Sequence, residues 1–480
     1  MIVEAFSEKI SIQMITLIAL SRLIPLKANY ETKKKGTTMN PLTQLNKIRI
    51  LPLLIALALV IGRVHATDLS ATPVIDWSNE ARRAIVPASA GPENYGNKFP
   101  GEAAVYMGIV HAAIYDAAVA IEGGYEPYAI TLIAPPNTSS AAAIATAAHH
   151  TLIGLQPPLG LTPAQQAILD GDYANYLAAI PDGAAKTNGI AVGEQVAAAV
   201  VALRANDGRE QNPTLADLNP PPPGPGIWER NPGNPLPPVL GLRLPGITPL
   251  ALNSASEFRP DGPNALTSEE YTEDFDQVKD LGRIDSTTRT PAQTIQALFW
   301  TDHDLRVWND GMLALAVAHG LDLVQTARML AMVHVSGGDA MIAGFEAKYH
   351  YWFWRPFTAI PEADTDGNPD TEADPTWQPL RPTPNHPEYP AAHAFHSSAV
   401  ATALAAFFGT DKVPFSLDSR VTQTTREYTR FRDAVRDVEL ARTLAGFHFR
   451  NSCLQGANLG RKVGRYVAKH YFQPVHGHGR

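Results

Sequence analysis

Three short stretches of the chain combine residue types that could bind a tetrahedral oxyanion. They read Lys348-Tyr-His-Tyr-Trp-Phe-Trp-Arg355-Pro356, His386-Pro-Glu-Tyr-Pro-Ala-Ala-His393 and Arg442-Thr-Leu-Ala-Gly-Phe-His448. Two arginines and a lysine supply fixed positive charge. The histidines supply proton transfer and a nitrogen that can serve as nucleophile or metal ligand. The sequence therefore predicts an anion site at which the three stretches meet.

The first stretch places two cations seven residues apart. If Lys348 and Arg355 share a helix, a spacing of two turns puts both on one face, and Pro356 ends the helix. A planar arginine fork beside a lysine point charge suits a phosphate-like anion, and the aromatic residues between them would exclude water. The alternative is the end of a surface helix that carries two solvated cations.

The second stretch ends where a helix of small residues is predicted to begin. Backbone N–H groups at a helix start can bind anions, and His393 could transfer a proton there. A structural histidine is the alternative. In the third stretch, Arg442 and His448 are six residues apart and would diverge by about 120° on a straight helix. Gly446 could bend the backbone and bring them together, although His448 could instead simply cap the helix.

Together the stretches resemble the superfamily that unites vanadium-dependent haloperoxidases with type 2 phosphatidic acid phosphatases. Its pattern is Lys-x6-Arg-Pro, then Pro-Ser-Gly-His, then Ser-Arg-x5-His. The first motif is intact here, Ala391 and Ala392 replace the serine and glycine of the second, and Ala441 replaces the serine of the third. The resemblance covers at least Thr290 to Tyr471. The helical N-terminal half and a proline-rich segment also fit the longer haloperoxidase-like members.

The resemblance implies a role for each cation and for one histidine. Lys348, Arg355 and Arg442 would bind the equatorial oxygens of vanadate or phosphate, with the backbone N–H of Ala392 beside them. His448 would coordinate vanadium as the metal ligand, or would become a phosphohistidine in a phosphatase.

Three further positions follow from the same resemblance. His393 would be the acid–base residue, and His386, seven residues before it, resembles the arrangement of bromide-oxidising members. At Ala391 a serine hydroxyl is missing, and such a hydrogen bond to a charged oxygen is worth about 1.5–3 kcal/mol. His396 or Ser397 could replace it in part.

Three functions are therefore open. The first is a haloperoxidase-like enzyme with vanadate as cofactor, which takes hydrogen peroxide, a halide (bromide is expected) and an organic acceptor. The second is a soluble acid phosphatase that acts through phospho-His448. The third is a catalytically impaired oxyanion-binding protein, because Ala391 and Ala392 depart from the motif.

Helical periodicity dominates the elements that must position these residues, so the expected fold is all-α, with helical bundles and a proline-rich strap, haloperoxidase/acid phosphatase-like. Tryptophan and leucine are interspersed among the prolines, which favours an ordered strap over a flexible linker. The predicted helices are 141–155, 163–179, 184–206, 290–300, 303–319, 321–335, 339–354, 391–408, 416–447 and 456–471.

The predicted organisation begins with a doubtful upstream extension (1–38) and a signal peptide (39–66). An N-terminal helical domain (67–210), the strap (211–265) and a C-terminal helical domain with the anion site (266–480) follow. Lys47 and Arg49 precede an apolar run of about 13 residues that ends in a small-residue cleavage pattern at Ala66. The mature chain is expected to be secreted or periplasmic and not membrane-spanning.

Charge and cysteine content exclude other functions. The formal net charge of the 480-residue chain is -8, and an acidic surface argues against nucleic acid as a partner. Cys453 is the only cysteine, so neither an internal disulfide nor a cysteine-based zinc cluster can form.

Overall fold

Residues 70–233 and 235–475 are described by the structure, a computed structural model. Within these ranges the chain forms thirteen α-helices and one two-stranded antiparallel sheet, which confirms the predicted, mainly helical fold class. The predicted upstream extension and signal peptide lie outside the described residues. The domain boundaries proposed from the sequence stay a prediction.

The helices of the N-terminal half are α1 (Thr72–Ile85), α2 (Pro100–Glu122), α3 (Ser140–Gly154), α4 (Pro163–Ala178) and α5 (Ala184–Leu203). Those between the strap and the first site motif are α6 (Glu269–Gly282), α7 (Pro291–Phe299), α8 (Asp304–Ala318) and α9 (Leu323–Tyr351). The remaining elements are α10 (Pro356–Ala359), α11 (Ala392–Phe408), β1 (Phe415–Ser419), β2 (Thr424–Tyr428), α12 (Phe431–Leu444) and α13 (Arg450–His470).

Helix α9 is the central element. It packs against α2 on one side and against α11 and α13 on another, and nearly all of its residues are buried. Asp322 begins it with a capping box, in which its carboxylate accepts from the backbone of Gln325 and the Gln325 side chain accepts from the backbone of Asp322. A buried helix of this length gives the site a rigid support.

The proline-rich strap is ordered, as predicted, and is held to α9 by a buried carboxylate. Asp339 accepts hydrogen bonds from the backbone N–H groups of Leu250, Ala251 and Leu252, at 2.5, 2.8 and 2.8 Å. Further along α9, the hydroxyl of Tyr349 donates to the carbonyl of Leu240 at 2.5 Å. A segment that cannot form helix or sheet therefore satisfies its backbone through side chains of its neighbours.

The predicted helices 321–335 and 339–354 are one continuous helix that stops earlier than expected. Helix α9 ends at Tyr351, and Trp352 adopts a left-handed conformation with φ of 52°. Lys348 and Arg355 therefore do not share a helix face, and the geometric reason given for their pairing is wrong. Arg355 instead lies in extended backbone just before the short helix α10.

The predicted helix 416–447 is also wrong in its first half. Residues there form the hairpin of β1 and β2, in which Phe415 pairs with Tyr428 and Ser419 with Thr424. Alternate residues of β1 are buried, which is the two-residue period of a strand. The second half does form helix α12.

Among the described residues, one helix, α2, is long and apolar enough to cross a membrane, and 94% of its most apolar window is buried inside the protein. Core helices of soluble proteins share these properties.

Candidate active site

Lys348 and Arg355 are fully buried, and backbone carbonyls surround them, most of them from the segment 384–388. The ammonium of Lys348 donates to the carbonyls of Pro387 and Glu388, at 3.0 and 2.8 Å. Arg355 donates through Nε to the carbonyl of His386 at 2.9 Å. Burial lowers the pKa of Lys348 well below its ordinary value, and the charge of Arg355 lowers it further. Burial also lowers the pKa of Arg355, to about 9.

Arg442 brings the third cation to the wall of a cavity. It lies in the last turn of α12, donates to the carbonyl of Trp300 at 2.6 Å and stacks over the ring of Phe447 at 4.6 Å. Its buried Nε has no hydrogen-bond partner among the described residues. Burial lowers the pKa of Arg442 to about 10. The cation thus keeps a buried donor that an anion could use.

His448 lies two residues beyond Gly446, as the sequence argument required. Gly446 has a φ of +76°, a conformation that glycine adopts readily, and it turns the chain after α12 ends at Leu444. His448 Nε2 is 3.1 Å from a guanidinium nitrogen of Arg355. Burial lowers the pKa of His448 well below its ordinary value, and the charge of Arg355 does so further, so the ring is neutral.

The sequence analysis missed a carboxylate beside His448. Glu388 is fully buried, and its Oε1 accepts from His448 Nδ1 at 2.8 Å and from the backbone N–H of Phe449 at 3.0 Å. The other oxygen accepts from the hydroxyl of Ser452. Burial raises the pKa of Glu388 to about 7. The only signal in the sequence was an acidic residue inside an otherwise rigid His-Pro-Glu-Tyr-Pro segment.

His393 occupies the cavity wall at the start of α11. Its Nε2 has no hydrogen-bond partner among the described residues, and burial followed by the charge of Arg442 lowers its pKa to about 3. The buried Asp304 also belongs to the cavity wall, and its Oδ2 is 3.1 Å from His396 Nδ1 without hydrogen-bond alignment. Burial would raise the pKa of Asp304, but the nearby His393 and His396 hold it below its ordinary value. Asp304 was not anticipated, because no motif points to α8.

His386 contacts both the cations and the cavity. Its ring lies 3.1 Å from a guanidinium nitrogen of Arg355 and packs against Phe345 with ring centroids 5.1 Å apart. Burial lowers the pKa of His386 well below its ordinary value, and the charges of Arg355 and Lys348 lower it further.

A cavity of about 440 Å³ opens onto these groups. Its wall contains most of the predicted site residues, whereas Lys348 and Arg355 lie behind the wall. The predicted residues on the wall are His386, Ala392, His393, Arg442 and His448. The three motifs are therefore adjacent, and the cavity can hold an anion of vanadate size together with a second small molecule.

The two alanines of the second motif face different surroundings. Ala392 is on the cavity wall at the first turn of α11, whereas Ala391 is fully buried and packs against Ala394 and Cys453. The expected substitutes for the missing serine are engaged elsewhere. Ser397 accepts from the indole of Trp308 at 2.9 Å, and His396 faces Asp304. Neither residue lines the cavity.

Within the described part of the chain, no cluster of three or more His, Cys, Asp and Glu side chains could hold a metal cation. The positive groups at the cavity suit an oxyanion instead.

Comparisons with known proteins support the same superfamily. Residues 328–477 match the family model of the VCPO second helical-bundle domain. A vanadium chloroperoxidase from Curvularia inaequalis is 28% identical over 206 residues, which cover 35% of this chain and 33% of that protein. The alignment thus spans about a third of that curated relative.

Two solved structures resemble the whole described fold. A bacterial vanadium-dependent iodoperoxidase aligns with a TM-score of 0.67 at 21% identity, covering 84% of this chain and 96% of its own. The apo form of a bacterial vanadium-dependent chloroperoxidase aligns with a TM-score of 0.61 at 17% identity, and the alignment covers 78% of this chain and 94% of that one. The fold is therefore that of vanadium haloperoxidases, and the resemblance drawn from the motifs is confirmed.

Proposed function

We propose that the protein is a vanadate-dependent, haloperoxidase-like enzyme that oxidises a halide with hydrogen peroxide. The observation that carries this proposal is that Arg442 and the neutral His448 line one cavity, with the buried cations Lys348 and Arg355 directly behind its wall. Burial lowers the pKa values of Lys348, Arg355 and Arg442, because removal from water disfavours their charged forms. A bound oxyanion would supply the compensating negative charge.

The residues present fit vanadate. Arg442 offers a buried, unpartnered donor beside the cavity, and the neutral His448 offers a lone pair at Nε2. Lys348 and Arg355 would bind oxygens of the anion, with the backbone of Ala392 contributing from the helix start. When bound, vanadate would act as a Lewis acid that activates peroxide toward halide without changing its oxidation state.

The protein's own groups would handle protons and solvent. His393 is neutral and partly exposed to the cavity, so it can accept a proton from the incoming peroxide and return it later. Aromatic and proline side chains form much of the remaining wall and would limit the access of water; they include Phe99, Phe345, Pro382, Pro384 and Phe447.

The proposed halide is bromide, and this choice depends on one residue. His386 lines the cavity beside Arg355, at the position where the resemblance associates histidine with bromide oxidation. The organic acceptor would occupy the outer part of the same cavity.

A soluble acid phosphatase remains the second candidate, because one observation favours it. The Nδ1 of His448 donates to a carboxylate, which leaves Nε2 as a nucleophile that could attack phosphorus. In that case His393 would be the acid–base residue beside the leaving alcohol. An oxyanion-binding protein without turnover is the third.

One experiment separates the three candidates. The purified protein, with and without orthovanadate, would be assayed for peroxide-dependent bromination of an organic dye and for hydrolysis of p-nitrophenyl phosphate. We expect bromination only with vanadate present. Ester hydrolysis that vanadate inhibits would establish the phosphatase instead. Vanadate binding by calorimetry with neither activity would leave the anion-binding protein, and chloride and iodide in parallel assays would test the bromide preference.

We also propose that the protein is exported, on the basis of the signal-peptide pattern in residues 39–66. Sequencing the N-terminus of the protein recovered outside the cytoplasm should give a start near Thr67.

A further inference from the structure

Glu388 connects two of the three motifs through separate atoms. Its backbone carbonyl accepts from the ammonium of Lys348 at 2.8 Å, and its carboxylate accepts from His448 Nδ1 at 2.8 Å. Glu388 lies within the second stretch, but the four-residue motif at positions 390–393 does not include it. A buried carboxylate is costly unless it is fully hydrogen-bonded, so mere packing does not explain a glutamate here.

The carboxylate is held by donors on a single segment. The imidazole of His448, the backbone N–H of Phe449 and the hydroxyl of Ser452 all donate to it. This segment leads into the first turn of α13, so the helix start and the glutamate fix each other. Rotation of the His448 ring would break one of these bonds.

The contacts at both ring nitrogens require the same tautomer. When the Glu388 carboxylate is ionised it can only accept, which places the ring proton on Nδ1 of His448. At the other nitrogen, Nε2 is 3.1 Å from a guanidinium nitrogen of Arg355, which can only donate. Nε2 therefore holds a lone pair, as a metal ligand or a nucleophile needs.

We propose that Glu388 is the positioning residue of this site, which holds the His448 ring with its Nε2 lone pair directed at the bound oxyanion. The proposal deepens the proposed function and depends on His448 being the vanadium ligand or phosphate nucleophile. A carboxylate that accepts from Nδ1 of a histidine also makes its Nε2 more basic. Loss of such an outer partner typically lowers metal affinity about 10- to 100-fold.

The test uses Glu388→Gln, which keeps the shape and removes the charge. We expect the affinity for orthovanadate, measured by calorimetry, to fall about 10- to 100-fold. Inorganic phosphate serves as a second probe that needs no redox chemistry. Glu439→Gln, at a partly buried glutamate of α12 outside the cavity wall, is the matched control and should leave both affinities unchanged.

A spectroscopic measurement tests the proposal without turnover. In the ¹⁵N-histidine-labelled protein, the ring signals that disappear in His448→Gln identify His448, and they should show a proton on Nδ1. In Glu388→Gln this preference should weaken. Ser452→Ala keeps the charge, so its tautomer should match that of the parent and its vanadate affinity should fall less than in Glu388→Gln.

The possible outcomes separate this proposal from the proposed function. Unchanged affinity and tautomer in folded Glu388→Gln would make the glutamate purely structural. If that variant does not fold, a proton on Nε2 of His448 in the parent protein overturns the proposal by itself. A parent that binds vanadate but neither brominates nor hydrolyses esters would refute the enzyme and leave the positioning role intact.

Discussion

At the scale of single residues, the site depends on cations that are shielded from water. Lys348 and Arg355 are each 0% exposed, and Arg442 is 2% exposed. Charges in such surroundings interact far more strongly with an anion than surface charges do. The arrangement therefore favours tight binding of an anion, and the proposed function assigns the chemistry to His393 and His448 on the cavity wall.

His448→Ala should abolish vanadate binding, because it removes the direct protein–metal bond that the proposed function assigns to Nε2. Calorimetric titration with orthovanadate would measure the loss, and thermal unfolding would confirm that the variant is folded. Retention of the parent's stoichiometry and affinity would remove His448 from the anion site.

His393→Ala should reduce turnover much more than vanadate affinity. A general acid–base group typically contributes about 10²–10⁴-fold to rate, whereas the anion's charge is met by the three cations. The measurement compares kcat for bromination with the vanadate dissociation constant. Equal losses in the two quantities would make His393 a binding residue.

At the scale of elements, the chain reversal after α12 decides where His448 lies. A Cβ added at Gly446 would come within 2.6 Å of the carbonyl oxygen of Gly282 and 2.9 Å of Pro379. Both neighbours are on other segments, so the backbone there would have to move. Gly446 thus allows the tight turn between Arg442 and His448.

Gly446→Ala should therefore destabilise the protein by more than 1 kcal/mol, since a left-handed φ alone costs about that much for alanine. It should also weaken vanadate binding by displacing His448. Gly367→Ala is the matched control, because Gly367 has a φ of +77° and no atom within 4 Å of the added Cβ. If both variants lose the same stability and neither loses affinity, the close contact at Gly446 has no role in the site.

The sequence predicted most helices to within a few residues, because amphipathic periodicity and caps such as Thr162 and Thr290 are local signals. The sequence-based prediction failed where contacts between distant segments determine the end of a helix or the role of a residue. The end of α9 at Tyr351 depends on the backbone of Trp352 bonding to the strap at Trp228. Glu388 and Asp304 escaped notice for the same reason, since the histidines that their carboxylates face, His448 and His396, lie far away in the chain.

At the scale of the whole molecule, a neutral polar cluster joins the two halves. The rings of His111 on α2 and His334 on α9 stack with centroids 4.3 Å apart. Their hydrogen-bond partners are uncharged. His111 Nε2 is 3.1 Å from the hydroxyl of Ser78, and His334 Nε2 is 3.1 Å from the amide oxygen of Asn309. Burial lowers the pKa of His111 to about 3 and that of His334 well below its ordinary value.

The free energy of unfolding should consequently decrease as the pH falls below about 6.5. In that range the unfolded chain binds protons at these histidines and the folded protein does not, so each contributes a slope of about 1.4 kcal/mol per pH unit. Urea unfolding at several pH values between 7 and 4 would measure the slope. His111→Gln should reduce it, and His319→Gln, at an exposed site, should not. Identical slopes in all three proteins would contradict the assignment.

The carbonyls that surround Lys348 and Arg355 have a consequence for how the protein matures. Because the segment 384–388 and Phe447 already solvate both cations with backbone oxygens, the chain can reach its native fold before it encounters vanadium. Under the proposed function, vanadate loading would then be a late, reversible step. A chelator should strip the protein without unfolding it, and added vanadate should restore it within the time of mixing.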